Sequence, residues 1–367
     1  MALCRVCQNV SHFISSALGV CLKCIREKPS EVLSHAMAIH RKSRATHGLP
    51  EVPPDDPRGV RCNICVNECK IPENQIGYCG LRKNMSGKIT GVSAEKGKLS
   101  WYHDPLPTNC VGDWVCPGGT GAGYPEYAYC SGPERGYKNL AAFFQACSFN
   151  CLYCQNWHFK HDTLKPHTTS IHQFITDVDE KTSCICYFGG DPTPQLPFAL
   201  KASRLAIDNN KGRILRICWE TNGSMNGNLL DKMMETALNS GGLVKFDLKA
   251  WDENLHIVLT GSTNKRTLEN FIRVGKVIHK RPVPPPLIAN TLLIPGYIDE
   301  EEIRGIAKFI ASVNPDIPYS LLGFHPQFYM SDMPLTPKSL ANQCLYAAQE
   351  EGLKNVRLGN IHLLTGF

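Results

Sequence analysis

The sequence predicts an α/β protein, a partial (β/α) barrel preceded by small cysteine-rich metal-binding modules. Two observations carry this prediction. From residue 139 onward, short apolar runs alternate with amphipathic stretches in which apolar residues recur at helical spacing. Before residue 139, cysteines recur in closely spaced pairs, a pattern typical of small metal sites. Repeated β–α units predict a parallel sheet, whose chemistry gathers at the carboxyl ends of its strands.

Apolar runs and helical spacing place the elements of the barrel in order. The predicted strands are Leu140–Phe144, Ser183–Phe188, Ile214–Trp219, Leu243–Leu248, Leu287–Ile294, Tyr319–Leu322 and Asn355–Leu358. The predicted helices between them include Phe198–Asp208, Leu229–Ser240, Lys265–Ile278 and Glu301–Val313. A further helix is predicted to start at Pro29 and to end near His40–Arg44.

Changes in composition divide the chain into five segments. We predict a zinc-ribbon-like module with a helix at 1–50, a proline-rich linker at 51–61 and a second cysteine-rich module at 62–106. A glycine- and cysteine-rich loop insertion follows at 107–138, and the barrel occupies 139–367.

The composition limits the classes of protein to which the chain can belong. Of the 367 residues 43% are hydrophobic and 20% are charged, which is ordinary for a globular protein with a large core. No apolar run approaches the ~20 residues of a membrane span, and the first residues do not resemble a signal peptide. Eighteen cysteines at short spacings favour metal sites in a reducing cytoplasm over disulfides. The net charge of +6 is too small to indicate a partner.

The first cysteine set is Cys4, Cys7, Cys21 and Cys24, two C-x2-C pairs separated by thirteen residues. Four thiolates at this spacing predict a closed, tetrahedral zinc site, with rubredoxin-like iron or an iron–sulfur cluster as the alternatives. Residues 1–61 carry nine Lys and Arg against five Asp and Glu, so nucleic-acid binding or protein docking is an alternative to a purely stabilising module. We favour the stabilising module.

The second cysteine set is Cys62, Cys65, Cys69 and Cys79. The set predicts a closed four-thiolate site whose metal is either zinc or an auxiliary iron–sulfur cluster. The insertion adds Cys110, Cys116 and Cys130 within a loop of little periodicity. These three thiols are predicted either to bind an auxiliary cluster or to be free thiols of a lid or interaction loop, which we favour.

The third set, Cys147, Cys151 and Cys154, has the spacing C-x3-C-x2-C and directly follows the first predicted strand of the barrel. A 4Fe–4S cluster normally takes four thiolates, so three ligands leave one iron with an open position. The alternatives are a zinc knuckle or three buried thiols. The spacing, with Tyr153 just before the last cysteine, resembles the signature of radical S-adenosylmethionine (SAM) enzymes.

Strand ends downstream extend this resemblance to relatives of pyruvate formate-lyase activating enzyme and to AmmeMemoRadiSam-type proteins. It covers roughly residues 62–367 and is weakest at 107–135. The matching segments are Gly189-Gly190-Asp191-Pro192, with Asp where the family has Glu, then Glu220-Thr-Asn222-Gly, Asp247-Leu-Lys249, and His325 after the sixth strand. The resemblance implies that these residues position SAM, whose amino and carboxylate groups bind the open iron.

Two further expectations concern single positions. The activating enzymes carry an Arg that contacts SAM where this sequence has Asn290, so that contact is not expected here. Cys184, Cys186, Cys218 and Cys344 are predicted to be core residues, because free cysteine packs as a small hydrophobe.

The resemblance implies a radical SAM enzyme with a 4Fe–4S cluster, SAM and a ferredoxin- or flavodoxin-like electron donor. The substrate it favours is a glycine of a partner glycyl-radical enzyme. One alternative is radical modification of another macromolecule, protein or tRNA, docked by the N-terminal modules. The other is a non-catalytic zinc-ribbon protein whose barrel senses SAM.

Overall fold

The computed structural model describes residues 1–366. The N-terminal part holds short strands and two helices. These elements are β1 (Ala2–Leu3), β2 (Val10–Ser11), α1 (Leu22–Glu27), α2 (Pro29–Ala45), β3 (Val60–Arg61), β4 (Lys70–Ile71), β5 (Arg82–Met85), β6 (Lys88–Gly91) and β7 (Lys96–Gly97). The strands pair as the antiparallel hairpins β1–β2, β3–β4 and β5–β6.

The remaining elements build one large sheet and its helices. In chain order they are β8 (Leu99–Pro105), α3 (Pro117–Thr120), β9 (Lys138–Phe144), α4 (Phe159–Thr163), β10 (Thr169–Ser170), α5 (Ile171–Ile175), β11 (Thr182–Gly189), α6 (Leu196–Asn209), β12 (Arg216–Thr221), α7 (Gly227–Ser240), β13 (Val244–Asp247), α8 (Glu253–Thr260), α9 (Lys265–Gly275), β14 (Leu287–Leu293), α10 (Glu300–Val313), β15 (Tyr319–Gly323), α11 (Lys338–Glu350) and β16 (Val356–Gly359).

The sheet confirms the predicted partial (β/α) barrel. Its order is β16-β15-β14-β13-β12-β11-β9-β8, and the seven strands from β9 to β16 in this sheet are parallel. All seven predicted strands and the four predicted barrel helices form, with their ends shifted by up to three residues. The sequence reasoning missed β8, an edge strand that pairs antiparallel to β9, and the helices α8 and α11.

The two faces of the central strands lie in different environments. On β11 and β12, Ile185, Tyr187, Ile217 and Trp219 are fully buried in the hydrophobic core beneath the helices. The alternate residues face the other side, where they line cavities. Because side chains alternate between faces along a strand, one register aligns both the core and the polar interior.

The N-terminal module is built into the same core as the barrel. Ile14, Leu18, Val20 and Ile25 belong to the main hydrophobic cluster. The Arg26 guanidinium lies 2.9 Å from carboxylate oxygens of both Asp299 and Glu302. Arg44 is buried and stacks on the Tyr78 ring at 3.4 Å. Both arginines are therefore engaged within the chain, which supports the stabilising module over a basic nucleic-acid surface.

Part of the insertion packs against the first residues of the barrel strands, and its role as a lid or interaction loop stays a prediction. Asp113 pairs with Arg357 of β16 at 2.6 Å, and Trp114 Nε1 donates to Ser320 Oγ at 3.2 Å. Gly112 passes so close to Ile288 that an added Cβ would lie 2.7 Å from its Cδ1. Residues 112–114 therefore pack at the end of the barrel where the strands begin, whereas Tyr124 of the same insertion is 54% exposed.

One buried ion pair fastens the insertion to the sheet. The Glu134 carboxylate, which is fully buried, makes two hydrogen bonds with the Arg216 guanidinium, at 2.6 and 2.8 Å. Glu134 also accepts from Ser183 Oγ at 2.8 Å and from the backbone N–H of Tyr129 at 2.9 Å. Both charges are thus removed from water but remain fully hydrogen-bonded.

None of the helices described in the structure combines the length and the apolar character needed to cross a bilayer.

Replacing Glu134 by Ala is expected to lower the free energy of unfolding by about 3–5 kcal/mol, because it leaves the Arg216 charge buried and unpaired. Urea unfolding followed by circular dichroism measures the change. The matched control is Glu95→Ala, which removes an exposed ion pair with Lys201 and should cost less than about 1 kcal/mol. Equal costs for the two variants would contradict a structural role of the buried pair.

Candidate active site

A cleft opens at the carboxyl ends of the parallel strands. The loop after β9 brings the thiols of Cys147, Cys151 and Cys154 into it. The ends of β11, β12 and β13 supply the other predicted residues that line it, namely Gly189, Gly190, Asp191, Glu220, Asn222, Asp247 and Lys249, and Tyr153 joins them from the cysteine loop. Residues predicted from separate motifs therefore meet in one cavity.

A chain of buried hydrogen bonds fixes the cysteine loop. His40 of α2 bonds through Nε2 to the carbonyl oxygen of Val258 at 3.0 Å, so this nitrogen carries the proton. The other nitrogen, Nδ1, accepts from Asn150 Nδ2 at 3.1 Å, and Asn150 Oδ1 accepts from Lys160 Nζ at 2.6 Å. The loop backbone adds bonds from the N–H of Asn150 to Thr260 O and of Leu152 to Leu259 O. The loop is thus attached to α2, α4 and α8.

The three thiols lie in a poorly solvated place between cations. Burial raises the pKa of Cys151 to about 12, while the Lys249 charge opposes this rise. Lys160 likewise opposes the burial effect that raises the pKa of Cys154. Lys160 itself is 3% exposed, and burial lowers its pKa to about 8. An anionic group bound to the thiols would therefore face two ammonium groups.

Two glycines allow the end of β11 to approach the cysteine loop. An added Cβ at Gly190 would lie 2.4 Å from Ala146 O, and Gly189 adopts φ +105°. Asp191 follows, and its carboxylate accepts from the N–H groups of Thr193 and Asn222, both at 2.7 Å. Burial nevertheless raises the pKa of Asp191 to about 6. Asp191 therefore ties the end of β11 to the end of β12.

The ends of β13 and β14 provide a polar wall. Lys249 Nζ lies 2.6 Å from Asp247 Oδ2, and Asp247 Oδ1 accepts from Asn290 Nδ2 at 2.5 Å. Asn290 Oδ1 and Tyr153 Oη are buried without a hydrogen-bond partner in the described structure, and both residues line the cleft. Unpaired buried polar atoms indicate a polar ligand that completes them. The cleft therefore fits a polar cofactor next to the three thiols.

Two residues that were predicted to position SAM do not line the cleft. Pro192 is buried just behind the cleft lining, and His325 is exposed, where it bonds to Gln327 Nε2 at 3.1 Å. The sequence reasoning also missed residues that the structure brings to the cleft: Lys160, Val111 of the insertion, and Asn156, which donates to Gly189 O at 3.0 Å. Lys160 follows the last motif cysteine by one short helix, and only its tertiary contacts reveal it.

A second cavity lies inside the barrel, toward the amino ends of the strands. Five thiols line it, those of Cys110, Cys116, Cys184, Cys186 and Cys218. Lys245 lies among them, 3.0 Å from Cys110 Sγ and 2.9 Å from Glu220 Oε1. Cys184, Cys186 and Cys344 are buried, as predicted for core residues, whereas Cys218 is only partly buried. Cys184, Cys186 and Cys218 also line this cavity. Cys130 is absent from this lining, and its Sγ donates to Gly132 O, so the structure does not gather the three insertion cysteines.

The four cysteines of the first set are close enough to one another to bind a single metal ion. The sulfur atoms of Cys4, Cys7, Cys21 and Cys24 all lie within 4.8 Å of one another. Burial raises the pKa of Cys4, but N–H groups of Cys7, Cys21 and Val6 outweigh it and lower the value to about 6. This geometry matches a tetrahedral ion bound by four sulfurs.

Comparisons with known proteins agree with the geometry of the cleft. The family model described as the radical SAM superfamily matches residues 142–310, which include the three cysteines and the strand-end residues of β11 to β13. Residues 142–310, a little under half of the chain, thus match a radical SAM domain. Such a domain implies a 4Fe–4S cluster and SAM as its cofactors.

Several curated proteins resemble the chain over different lengths. An uncharacterized protein of Methanocaldococcus jannaschii is 26% identical over 313 residues, 83% of each chain. A provisionally named glycyl-radical enzyme activating enzyme of the same organism is 34% identical over 48% of this chain and 64% of its own. The isethionate sulfite-lyase activating enzyme of Desulfovibrio desulfuricans is 33% identical over 37% and 40%. The chain thus spans less than two thirds of the length of each of these two activating enzymes.

Among solved structures, a domain of the pyruvate-formate lyase-activating enzyme from Bacteroides vulgatus aligns with 44% of this chain and 94% of its own. The two are 23% identical, with a TM-score of 0.34.

The His40 contacts predict a pH dependence of stability. Burial lowers the pKa of His40 from 6.5 to about 4, so the unfolded chain takes up a proton first as the pH falls. Stability is therefore lost from about pH 6.5 downward. Between about pH 7 and pH 5, His40 should account for a loss of about 2 kcal/mol.

Urea unfolding of wild type and His40→Gln at the two pH values measures the contribution of His40 to the loss of stability. The variant should lose about 2 kcal/mol less than wild type on acidification, whereas His172→Gln, at an exposed site, should behave like wild type. An unchanged pH dependence in His40→Gln would contradict the buried neutral imidazole.

Proposed function

We propose that the protein is a radical SAM enzyme in which Cys147, Cys151 and Cys154 hold a 4Fe–4S cluster and the strand ends hold SAM. The observation that carries the proposal is the shared cleft, where three thiols on one loop face the polar ends of β11 to β14. When bound, the cluster supplies an electron that cleaves SAM and yields a 5′-deoxyadenosyl radical, which abstracts hydrogen.

The protein residues around the cleft bind and orient. Lys249, paired with Asp247, presents an ammonium group to the SAM carboxylate or ribose, and Asn290 Oδ1 and Tyr153 Oη offer unpaired polar atoms. Carbonyl oxygens at Gly189 and Gly190 accept from the SAM amino group, a role that the close glycine turn supports. Phe149, Phe188 and Leu292 line the cleft with apolar surface that excludes water.

The substrate we propose is a glycine residue of a partner glycyl-radical enzyme, whose Cα loses one hydrogen atom. Support comes from the activating-enzyme names of two relatives that are 33–34% identical over part of the chain. A ferredoxin- or flavodoxin-like protein would supply the electron. We place the reaction in the cytoplasm, because none of the eighteen cysteines forms a disulfide and a reducing compartment favours thiols and metal-bound thiolates.

One observation favours a second candidate, the radical modification of another macromolecule. Val111 of the insertion lines the cleft, so the space left for a substrate differs from that of a barrel without such an insertion.

The N-terminal cysteine set is proposed to hold structural zinc. The core residues that surround it belong to the same hydrophobic cluster as the barrel, so its ion would stabilise the whole fold.

Changing Cys151 to Ala is expected to abolish both the cluster absorption and the formation of 5′-deoxyadenosine, because two thiolates hold the cluster too weakly. Anaerobic reconstitution, visible absorption and product chromatography measure the two effects. Cys344→Ala, which removes a core thiol far from the motif, should retain both. Formation of 5′-deoxyadenosine by Cys151→Ala would contradict the assignment of Cys151 as a cluster ligand.

Changing Lys249 to Met is expected to weaken SAM binding by about 10- to 100-fold, since a charge-assisted hydrogen bond contributes about 1.5–3 kcal/mol. The cluster itself should form normally. Titration of the reduced cluster with SAM, followed by EPR, gives the dissociation constant. Lys265→Met, at an exposed lysine, should bind SAM like wild type. Equal affinities in all three proteins would exclude Lys249 from the SAM site.

The substrate test uses a candidate glycyl-radical enzyme from the source organism, mixed with the reduced protein and SAM. The expected result is an EPR doublet of a glycyl radical that disappears when the partner glycine is changed to Ala. SAM cleavage without any glycyl signal would favour the second candidate, and wild type that never cleaves SAM would favour a sensor.

A further inference from the structure

A buried lysine lies at the border between the cleft and the inner cavity. Lys245 belongs to β13, is 2% exposed and is absent from the sequence motifs described above. Its neighbour in the register of the parallel sheet is Glu220 of β12, so the two side chains lie on the same face of the sheet. Glu220 lines both the cleft and the inner cavity, and Lys245 lines the inner cavity. The pair therefore stands where the two spaces meet.

The ammonium group of Lys245 has three acceptors within the chain. Its Nζ lies 2.9 Å from Glu220 Oε1, 3.0 Å from Cys110 Sγ and 3.3 Å from Cys186 Sγ. These acceptors belong to β12, to the insertion and to β11. Because an ammonium group has three hydrogen-bond donors, all of them are used by these contacts. The position of Nζ is therefore fixed from three sides.

The carboxylate, and not the two thiols, balances the charge of the ammonium group. Burial raises the pKa of Cys110 to about 12, although the Lys245 charge opposes the rise. Burial also raises the pKa of Cys186 well above its usual value, again against the effect of Lys245. Both thiols therefore stay protonated near neutral pH, and Cys110 Sγ donates to Glu220 Oε1 at 3.6 Å. Lys245 and Glu220 form the ion pair, and the thiols serve as neutral partners.

One carboxylate oxygen of Glu220 remains available to an occupant of the cleft. Both hydrogen bonds that described residues make with this side chain go to Oε1, so Oε2 is left without a partner among them. The Glu220 side chain is 30% exposed and lines the cleft. A carboxylate oxygen accepts hydrogen bonds from hydroxyl and ammonium groups, and such charge-assisted bonds are strong. Glu220 is thus held through one oxygen and can bind a ligand through the other.

The insertion covers the lysine and belongs to the same arrangement. The N–H of Gly112 donates to Cys110 Sγ at 3.4 Å, and a Cβ added at Gly112 would lie 3.4 Å from Lys245 Cδ. The insertion backbone therefore lies against the side chain of Lys245, and the next residue before Gly112, Val111, lines the cleft. Hydrogen bonds are stronger in such a poorly solvated place than in water. The insertion thus helps to hold the pair at the edge of the cleft.

We propose that Lys245 is a positioning residue, which holds Glu220 so that Oε2 accepts a hydrogen bond from a hydroxyl or ammonium group of SAM. Cys110 of the insertion holds Lys245 in turn. The resemblance implies a SAM contact for Glu220 but not which residues hold Glu220 in place. This role rests on the proposed function, in which the strand ends hold SAM. A salt bridge that only stabilises the fold would make the same contacts, but SAM binding would not depend on it.

Titration of the reduced, reconstituted protein with SAM, followed by EPR, tests this dependence. Lys245→Met should weaken SAM binding by about tenfold or more, while its iron content and cluster absorption match those of wild type. Glu220→Gln should have a similar effect. Because the two residues act as a unit, Glu220→Gln/Lys245→Met should bind SAM within about twofold of either single variant. A Lys245→Met protein with the SAM affinity of wild type would overturn the proposal.

Chemical rescue separates positioning from stabilisation of the fold. Lys245→Ala leaves a space beside Glu220 that an ethylammonium ion can occupy, whereas the side chain of Lys245→Met fills this space. Ethylammonium chloride should raise the SAM affinity of Lys245→Ala by about threefold or more, and sodium chloride at the same ionic strength should not. Lys245→Met should respond to neither salt. The absence of these differences would overturn the positioning role.

A cysteine pair decides the question even if the Lys245 variants fail to fold. Cys110→Ala removes one acceptor of Lys245 and keeps both charges, so it should weaken SAM binding by about threefold or more. Cys218→Ala removes a thiol of the same cavity that makes no described hydrogen bond to Lys245, and it should bind SAM like wild type. Equal affinities of the two variants would overturn the role of Cys110 and Lys245 alone. A wild type that assembles the cluster but binds no SAM would refute the proposed function as well.

Discussion

The hydrogen-bond chain from Val258 through His40 and Asn150 to Lys160 is the contact on which the rest of the site depends. Its members lie on or beside three different helices and on the cysteine loop, and His40, Asn150 and Lys160 are all nearly inaccessible to water. A buried network of this kind is stable only when each member is paired, because an unpaired polar group away from water is costly. The loop is therefore held in one conformation by the N-terminal module as much as by the barrel.

A second feature of the structure is the presence of cations beside buried thiols. Lys160 and Lys249 face the thiols of the cleft, Lys245 lies among the thiols of the inner cavity, and Arg82 faces those of the second set. Burial by itself disfavours a thiolate, and a nearby cation offsets part of that cost. Positive charge thus lies beside the thiols of the cleft, of the inner cavity and of the second set, an arrangement suited to bound anionic centres.

The insertion changes what the barrel can admit. It closes the amino ends of the strands through the Glu134–Arg216 and Asp113–Arg357 pairs and leaves an inner cavity that shares Phe188 and Glu220 with the cleft. The cleft opens at the carboxyl ends of the strands, so the proposed peptide segment of a partner enzyme would approach it from that side.

Local patterns in the sequence were enough to predict the parallel strands, the order of the motifs and the three cysteine sets, because alternation, helical spacing and short C-x-x-C intervals are local properties of the chain. It also predicted most of the cleft, since the carboxyl ends of parallel strands meet at one edge of a sheet. The contacts of the folded chain were needed to show which cysteines lie close enough to bind one ion, that part of the insertion packs against the first residues of the strands, and that His40 and Lys160 hold the cysteine loop. These features depend on contacts between residues as far apart as Asp113 and Arg357, which no local pattern encodes.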